Sequence, residues 1–420
     1  MTERSLWAPR LLIIVLFALG FAVAQDVTIE IVGWGSGQAV VYEEFMNQNP
    51  SIAVTEQMMP FGDLIVFLKT RFLAGEAPDI VQLQPGHLIE FRDNLLPLDD
   101  LIASDAELDL ANFVQPALTI TIVDGMLLGI PQHPIVSGML WYNKDIFDEL
   151  GLQVPTDYDE LKAVAQACRD AGHLPLILNG GDAWNRLNVV EQLFAYFAPG
   201  KKAQAVAGEI PWTDPDLVAG MAFFETMVED GVFQDGVMGA DFGVMTAFSE
   251  GNGCIVVQGS WAKGGQLIGI RPEGTVGLTL PMPFPDVTDS GLAWMPALGT
   301  GHSFGINKDS PNIEAAWEVM KQIIRLGDPL ANYPVLIPVY ASGVDSPVMA
   351  RANNMGQLEA TTAFELAAWD AEGAFLNDAW GFAEVRDAIA EAASGVATGQ
   401  VSAEVAMREV QRVAERVLGR

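Results

Sequence analysis

Aromatic side chains recur at the ends of the apolar segments that the sequence predicts to be strands. Six of the ten tryptophans lie there: Trp34, Trp141, Trp184, Trp261, Trp294 and Trp380. A sugar presents apolar C–H faces and a girdle of hydroxyls, so its site needs flat rings beside polar groups. Tryptophan is also a common core residue, and we expect Trp317, on the apolar face of a helix, to be buried. The pattern predicts carbohydrate contact for part of this set.

Polar side chains accompany these rings. Gln84 and His87 follow one predicted strand, and Asp182 lies in a loop after another. Asp182 and Asp241 stand between apolar residues, where each carboxylate could accept hydrogen bonds from two adjacent hydroxyls. For Asp241, capping of a helix is an equally good explanation. For His133, the alternative to ligand contact is a satisfied histidine in a loop.

The sequence offers no catalytic constellation. The motifs G-x-S-x-G and H-E-x-x-H are absent, and the histidines lack the spacing of metal ligands: His87, His133, His173 and His302. A glycosidase remains an alternative, because its two catalytic carboxylates can be far apart in the sequence and still lie close together in the folded protein. Asp182 and Asp241 are the pair to test. We expect no enzymatic activity, no cofactor and no metal.

Other small ligands fit these residues less well. Anionic ligands require clusters of arginine, and no candidate segment carries one. A polyamine would suit tryptophan and aspartate together through cation–π contact, and it remains the second candidate.

The amino-terminal 24 residues read as a cleavable export signal. Arg4 and Arg10 precede an apolar run at 11–21, and the small residues at 22–24 form a cleavage site. The run is too short to span a bilayer, and no cysteine follows it to carry a lipid. We therefore expect a freely diffusing periplasmic protein.

The charge of the chain argues against one class of partner. The formal net charge of −32 makes nucleic acid a poor partner.

Cys168 and Cys254 are the only cysteines in the sequence, and Cys168 lies on the apolar face of a predicted helix. We expect a buried thiol rather than a disulfide.

Strands and helices alternate along the first third of the chain, which predicts an α/β fold with parallel strands. A strand at 27–31 runs into a glycine loop at 33–37, and Gln38 stands where a dinucleotide fingerprint needs its third glycine. The loop is better suited to hydrogen-bonding a small polar ligand through its free N–H groups.

Four segments, in order, carry a family resemblance. They are G-x-A-P-D-I-V at 75–81, G-I-P at 129–131 with Y-N-K-D at 142–145, A-F-x-x-G followed by G-S-W at 247–261, and A-x-G-Q-x-S-x-E-x-A at 397–406. The chain resembles the extracytoplasmic solute-binding proteins of sugar ABC transporters, the family of the maltose-binding protein. Leu128 departs from its pattern, because an aromatic residue often precedes G-I-P there.

This resemblance implies a two-lobed periplasmic binding protein fold, α/β in class, with a ligand cleft between the lobes and three crossings near 135, 290 and 342. It places an amino-terminal lobe at 25–136 plus 298–341 and a carboxy-terminal lobe at 137–297 plus 342–420. It also implies a monomer that delivers a mono- or short oligosaccharide to an ABC permease in the inner membrane.

Together, the resemblance and the residue chemistry predict one set of cleft residues. They are Trp34, Gln38, Gln84, His87, His133, Asp182, Trp184, Asp241, Trp261, His302 and Trp380. Among the tryptophans, Trp184, Trp261 and Trp380 are favoured, because each lies in a segment that resembles a family cleft segment.

Overall fold

The computed structural model describes most of the chain from residue 27 onward. The described residues are 27–34, 39–105, 108, 110, 113, 115–131, 134–241, 243–262, 278–291, 294–300, 302–326, 367, 375–376 and 382–419. They form two lobes, each built on its own sheet with helices packed on it.

The first sheet has five strands in the order β2-β1-β3-β13-β6. Their bounds are β1 Val27–Gly33, β2 Ile52–Met58, β3 Ile80–Leu83, β6 Ile130–Pro131 and β13 Ser303–Ile306. As predicted, β1 pairs with β2 and β3 in parallel, while β13 returns antiparallel to both β3 and β6. The carboxyl ends of β1, β3 and β6 therefore lie at one edge, where β13 begins.

The second sheet has four strands in the order β11-β8-β10-β9. Their bounds are β8 Met139–Asn143, β9 Leu174–Ile177, β10 Gly253–Gln258 and β11 Thr279–Met282. β10 runs parallel to β9 and antiparallel to β8, and every one of its residues is buried. The carboxyl ends of β9 and β10 share an edge, which is where ligands bind in open α/β sheets.

Two short strands carry the chain between the lobes. β7 (Pro134–Ser137) leads from β6 to β8, and β12 (Ala297–Thr300) leads from the second sheet back to β13. The two pair antiparallel, and β14 (Phe375–Leu376) pairs with β12. These are the first two predicted crossings, and the third, near 342, lies outside the described residues. The predicted lobe boundaries remain a prediction.

The helices cover both sheets, and β4 (Ile122–Val123) and β5 (Met126–Leu127) form a small hairpin. On the first lobe the helices are α1 Ala39–Gln48, α2 Phe61–Ala74, α3 Pro85–Phe91, α4 Asp99–Ser104, α5 Gln115–Thr119 and α12 Ile313–Leu326. On the second they are α6 Lys144–Leu150, α7 Tyr158–Asp170, α8 Ala183–Phe197, α9 Lys201–Val206, α10 Pro215–Glu229, α11 Gly243–Ser249, α13 Ala383–Ala397 and α14 Ala403–Leu418.

Each lobe has its own hydrophobic core. Trp317 on α12 is 6 % exposed and packs with β1 and β13, which confirms its prediction as a core residue. Trp141 on β8 is fully buried, and its indole N–H donates to Gly259 O at 3.1 Å. Trp141 therefore belongs to the core of the second lobe and not to a ligand site.

The prediction of a free thiol at Cys168 is wrong. Cys168 on α7 and Cys254 on β10 form a disulfide that joins residues 86 positions apart. The helix spacing correctly predicts that Cys168 is buried against the core. It does not show that β10 places Cys254 opposite it, since that contact depends on how α7 packs across the sheet.

Within the part of the chain that the structure describes, no helix has the length and apolar character needed to cross a bilayer. The same residues contain no group of three histidine, cysteine, aspartate or glutamate side chains that could hold a metal ion.

Candidate functional site

Three side chains of the first lobe form a linked cluster at the carboxyl edge of its sheet. Gln82 Oε1 accepts from the backbone N–H of Trp34 at 2.9 Å, and Gln82 Nε2 lies 2.9 Å from His302 Nδ1. The rings of Trp34 and His302 meet edge to face at 4.7 Å. Gly33 makes this possible, because a Cβ there would lie 2.4 Å from Gln82 Oε1.

The orientation of the Gln82 amide determines which ring nitrogen of His302 carries the proton. Since Gln82 Oε1 is the acceptor for Trp34, Gln82 Nε2 must donate to His302 Nδ1, which is therefore unprotonated. Burial lowers the pKa of His302 to about 4, consistent with a neutral ring. His302 then keeps its Nε2–H as a donor.

Gln84 and His87 follow β3 at the same edge, as predicted. Gln84 is the N-cap residue of α3, and its Oε1 accepts from Arg386 Nη1 of the second lobe at 3.1 Å. His87 is 2 % exposed. Its pKa is lowered to about 3, first by burial and then by the positive charges of Arg386 and Lys69. His87 is therefore a neutral hydrogen-bonding group near the lobe interface.

On the second lobe, Asp182 and Trp184 begin α8 at the carboxyl edge of β9. Asp182 is the N-cap, and its Oδ1 accepts from Trp184 N at 2.9 Å. Arg186 stabilises the turn before α8. Its side chain donates to Gly180 O at 2.7 Å and to Ala390 O on α13 at 3.0 Å. A backbone hydrogen bond from Gly181 N to Ala240 O, at 2.8 Å, stabilises the same turn.

Asp241 lies next to this turn but is exposed to solvent. Its Oδ1 accepts from Gly243 N, at the first residue of α11, at 2.8 Å. This bond lies at the start of α11, where the capping alternative for Asp241 expects one. Ligand contact by Asp241 remains a prediction.

A cleft cavity of about 550 Å³ joins the two lobes. Three of the predicted site residues line it: His87 from the first lobe, and Asp182 and Trp184 from the second. The rest of its wall comes from α2, α3, α8 and α13. Arg386 and Asp387 lie on that wall, 3.0 Å apart, and Lys69 lies 2.7 Å from Glu90.

Four of the predicted site residues are not tested by this geometry. Gln38, His133 and Trp380 lie outside the described residues, as does the side chain of Trp261. The backbone of Trp261 forms a short 3₁₀ turn after β10, at the carboxyl edge of the second sheet.

Sequence reasoning missed Gln82 and Arg386. A polar residue inside the four-residue buried strand I-V-Q-L was a usable signal for Gln82. Arg386 gave no such signal, because it stands among acidic residues on an ordinary amphipathic helix. Its position at the lobe interface depends on how α13 packs in the second lobe.

Comparison with known proteins identifies the family. The family model described as bacterial extracellular solute-binding protein matches residues 34–322. The chain belongs to this family. Its members are binding proteins rather than enzymes, and they bind solutes outside the cytoplasm.

Individual relatives of this solute-binding protein are distant. A putative binding protein of Brucella abortus is 24 % identical over 324 residues, covering 71 % of each chain. A multiple sugar-binding protein of Streptococcus mutans is 27 % identical over 232 residues, covering 53 % of each. The fold is similar to that of a solved chitin oligosaccharide binding protein, with a TM-score of 0.75, 19 % identity, and 94 % and 99 % of the two chains covered.

Proposed function

We propose that this solute-binding protein captures a neutral sugar or short oligosaccharide between its lobes. The observation that carries the proposal is the cavity of about 550 Å³ in which His87 meets Asp182 and Trp184 from the opposite lobe. That volume suits a small-molecule site. The family and the similarity to proteins named for sugar binding support the same ligand class.

The chemistry of the wall fits a polyhydroxylated ligand. Trp184 offers an aromatic face for C–H groups, beside the apolar side chains of Val66 and Leu187. Asp182 supplies an acceptor and neutral His87 an uncharged polar ring, and these suit hydroxyls rather than an anion. Arg386, which lines the cavity, already pairs with Asp387 and Gln84.

Capture proceeds by closure of the lobes. A ligand that contacts both lobes binds the closed form more tightly than the open form and shifts the equilibrium toward it. The paired crossing strands β7 and β12 are the hinge in this proposal. We further propose that the closed, loaded monomer docks on an ABC permease.

The proposed location is the periplasm, reached through cleavage of the 24-residue signal. The Cys168–Cys254 disulfide supports export, because such bonds persist in oxidising compartments. The family description as extracellular agrees.

A polyamine is the second candidate, favoured by the carboxylates on the wall. Five acidic and two basic side chains line the cavity. The whole chain has 54 acidic and 22 basic residues, a similar ratio, so the excess is not particular to the cavity. The neutral sugar therefore stands first.

Thermal unfolding of the mature protein tests the proposal. The panel contains maltotriose, xylotriose, N,N′-diacetylchitobiose and ribitol, with spermidine as the cationic alternative. A ligand bound by the native state alone raises the unfolding midpoint. A rise with a member of the sugar panel supports the proposal, and a rise with spermidine alone overturns it.

A further inference from the structure

A buried arginine lies behind the second-lobe wall of the cavity. Arg186 on α8 is 5 % exposed and does not itself line the cavity. Each nitrogen of its guanidinium donates a hydrogen bond: Nη1 to Gly180 O at 2.7 Å, Nε to Ala390 O at 3.0 Å and Nη2 to Glu391 Oε1 at 3.4 Å. Taking a charge out of water is costly, and an apolar side chain would fill similar space without that cost. Packing alone therefore does not explain an arginine here.

The three bonds of Arg186 join the two elements of the second lobe that line the cavity. Gly180 belongs to the turn that leads into α8, where Asp182 lines the cavity. Ala390 and Glu391 belong to α13, and the first turns of α13 line the cavity as well. Because one planar, rigid group bonds both elements, it fixes the position of one relative to the other.

Arg186 also offsets negative charge on the wall. Five carboxylates line the cavity, and two of them pair with a cation that lines it too: Glu90 with Lys69 at 2.7 Å, and Asp387 with Arg386 at 3.0 Å. Glu391 pairs with Arg186, at 3.4 Å, from behind the wall. Burial lowers the pKa of Arg186, and the negative charges of Glu391 and Asp182 oppose that lowering. The guanidinium therefore interacts electrostatically with two of the carboxylates on the wall.

We propose that Arg186 is a positioning residue that holds α8 and α13 together and offsets their carboxylates, so that the cavity takes a neutral polyol in preference to a polyamine. A polyamine gains attraction from each carboxylate that is left without a compensating charge. A sugar carries no charge, and it gains instead from acceptors and rings that are held in place before it binds. This inference rests on the proposed function and assigns a residue that sets which ligand class the same site accepts.

Calorimetric titration of Arg186→Gln tests the proposal. The probes are maltotriose, xylotriose, N,N′-diacetylchitobiose, ribitol and spermidine, at low salt, where charge interactions are least screened. Glutamine removes the charge but keeps a donor for Gly180 O. We expect the affinity for each sugar that the wild type binds to fall at least about tenfold, while the affinity for spermidine rises at least about tenfold. A merely structural defect would lower both affinities.

Arg186→Lys separates the charge from the geometry. Lysine keeps the positive charge but lacks the planar fork that bonds both elements. The sugar affinity should therefore fall at least about threefold, while the spermidine affinity stays within about threefold of the wild type. If Arg186→Gln does not fold, this variant decides: unchanged sugar affinity, or a parallel loss of both affinities, overturns the proposal.

Arg169→Gln is the matched control. Arg169 on α7 also donates to two backbone carbonyls of the second lobe, those of Gly231 and Phe233, and it pairs with the exposed carboxylate of Asp235 at 2.8 Å. It does not line the cavity. Both affinities, stated per folded molecule, should change by less than about threefold, even if the unfolding midpoint falls.

The two affinities of Arg186→Gln must move in opposite directions for the proposal to stand. Spermidine affinity equal to that of the wild type overturns it, and so do changes no larger than those of Arg169→Gln. If no panel sugar binds the wild type, the proposed sugar function fails, and spermidine alone then decides about Arg186. A rise in Arg186→Gln that is absent from Arg186→Lys supports its role in offsetting charge, and no rise overturns that role.

Discussion

Arg386 Nη1 of the second lobe lies 3.1 Å from Gln84 Oε1 of the first. The two residues are 302 positions apart in the sequence and meet beside the cavity that His87 and Asp182 line. The proposed hinge motion at β7 and β12 would separate them, so in that proposal this hydrogen bond forms only when the lobes are closed. The contact favours closure by the free energy of one hydrogen bond to a charged group.

Arg386→Ala is therefore expected to weaken sugar binding about tenfold, since bonds to charged groups contribute about 1.5 to 3 kcal/mol and partial exposure reduces this. Small-angle scattering at subsaturating sugar should show a larger fraction of open protein. Arg412→Ala is the control, because Arg412 pairs with Glu409 on an exposed face of α14. Equal affinity and scattering for Arg386→Ala and wild type would refute a role in closure.

Acid should destabilise the protein through His87 and His302. The pKa of His87 is about 3 and that of His302 about 4, both below the ordinary 6.5. As the pH falls below 6.5, the unfolded chain takes up protons that the folded chain does not, and stability falls until about pH 4 for His302 and about pH 3 for His87. At pH 5 the loss is about 2 kcal/mol for each histidine.

Urea unfolding at pH 7.5 and pH 5.0 measures this loss. His87→Gln and His302→Gln should each reduce the difference in unfolding free energy between the two pH values. If both variants keep the full wild-type difference, the two rings are not the cause.

The disulfide should contribute strongly to the stability of the second lobe. Closing a loop of 86 residues is worth about 4 to 5 kcal/mol in the chain-entropy description, and measured losses are commonly about 2 to 5. The Cys168→Ala, Cys254→Ala double variant and the reduced wild type should both unfold at lower urea concentration. A reductant should have no further effect on the double variant, and an identical midpoint for the oxidised and reduced wild type would contradict the pairing.

Two exposed apolar residues of α2 allow a direct comparison, because one lines the cavity and the other does not. Val66 is 68 % exposed and lines the cavity, whereas Leu73, two turns later, is 90 % exposed and does not. We expect Val66→Glu to weaken sugar binding at least about tenfold, because it places a charge on the apolar wall, while Leu73→Glu has little effect. Calorimetric titration of both variants decides; an equal effect from the two would show that α2 does not contact the solute.

Much of the fold could be predicted from local patterns. The strand predicted at 27–31 appears as Val27–Gly33, and it pairs in parallel with its neighbours as the alternation of strands and helices predicted. The period of apolar residues carries this information, because each pattern matches one face of one element.

Contacts that depend on packing between distant elements could not be predicted. The Cys168–Cys254 pair and the Arg386–Gln84 bond each join elements that no local pattern relates.

The candidate site was predicted in part. His87, Asp182 and Trp184 do meet in one cavity, because strand ends at the same sheet edge converge there. Gln82 was missed because its role depends on the close approach that Gly33 allows, which is visible only once β1 and β3 are paired.

Calorimetric titration of the mature protein and of Trp184→Ala with the panel sugars tests the central claim most directly. We predict that the wild type binds one sugar class with a dissociation constant near micromolar, about −8 kcal/mol, and that Trp184→Ala loses most of this affinity while remaining folded. Sugar binding that is unchanged in Trp184→Ala, or binding of spermidine without any sugar, would contradict capture of a sugar in this cavity.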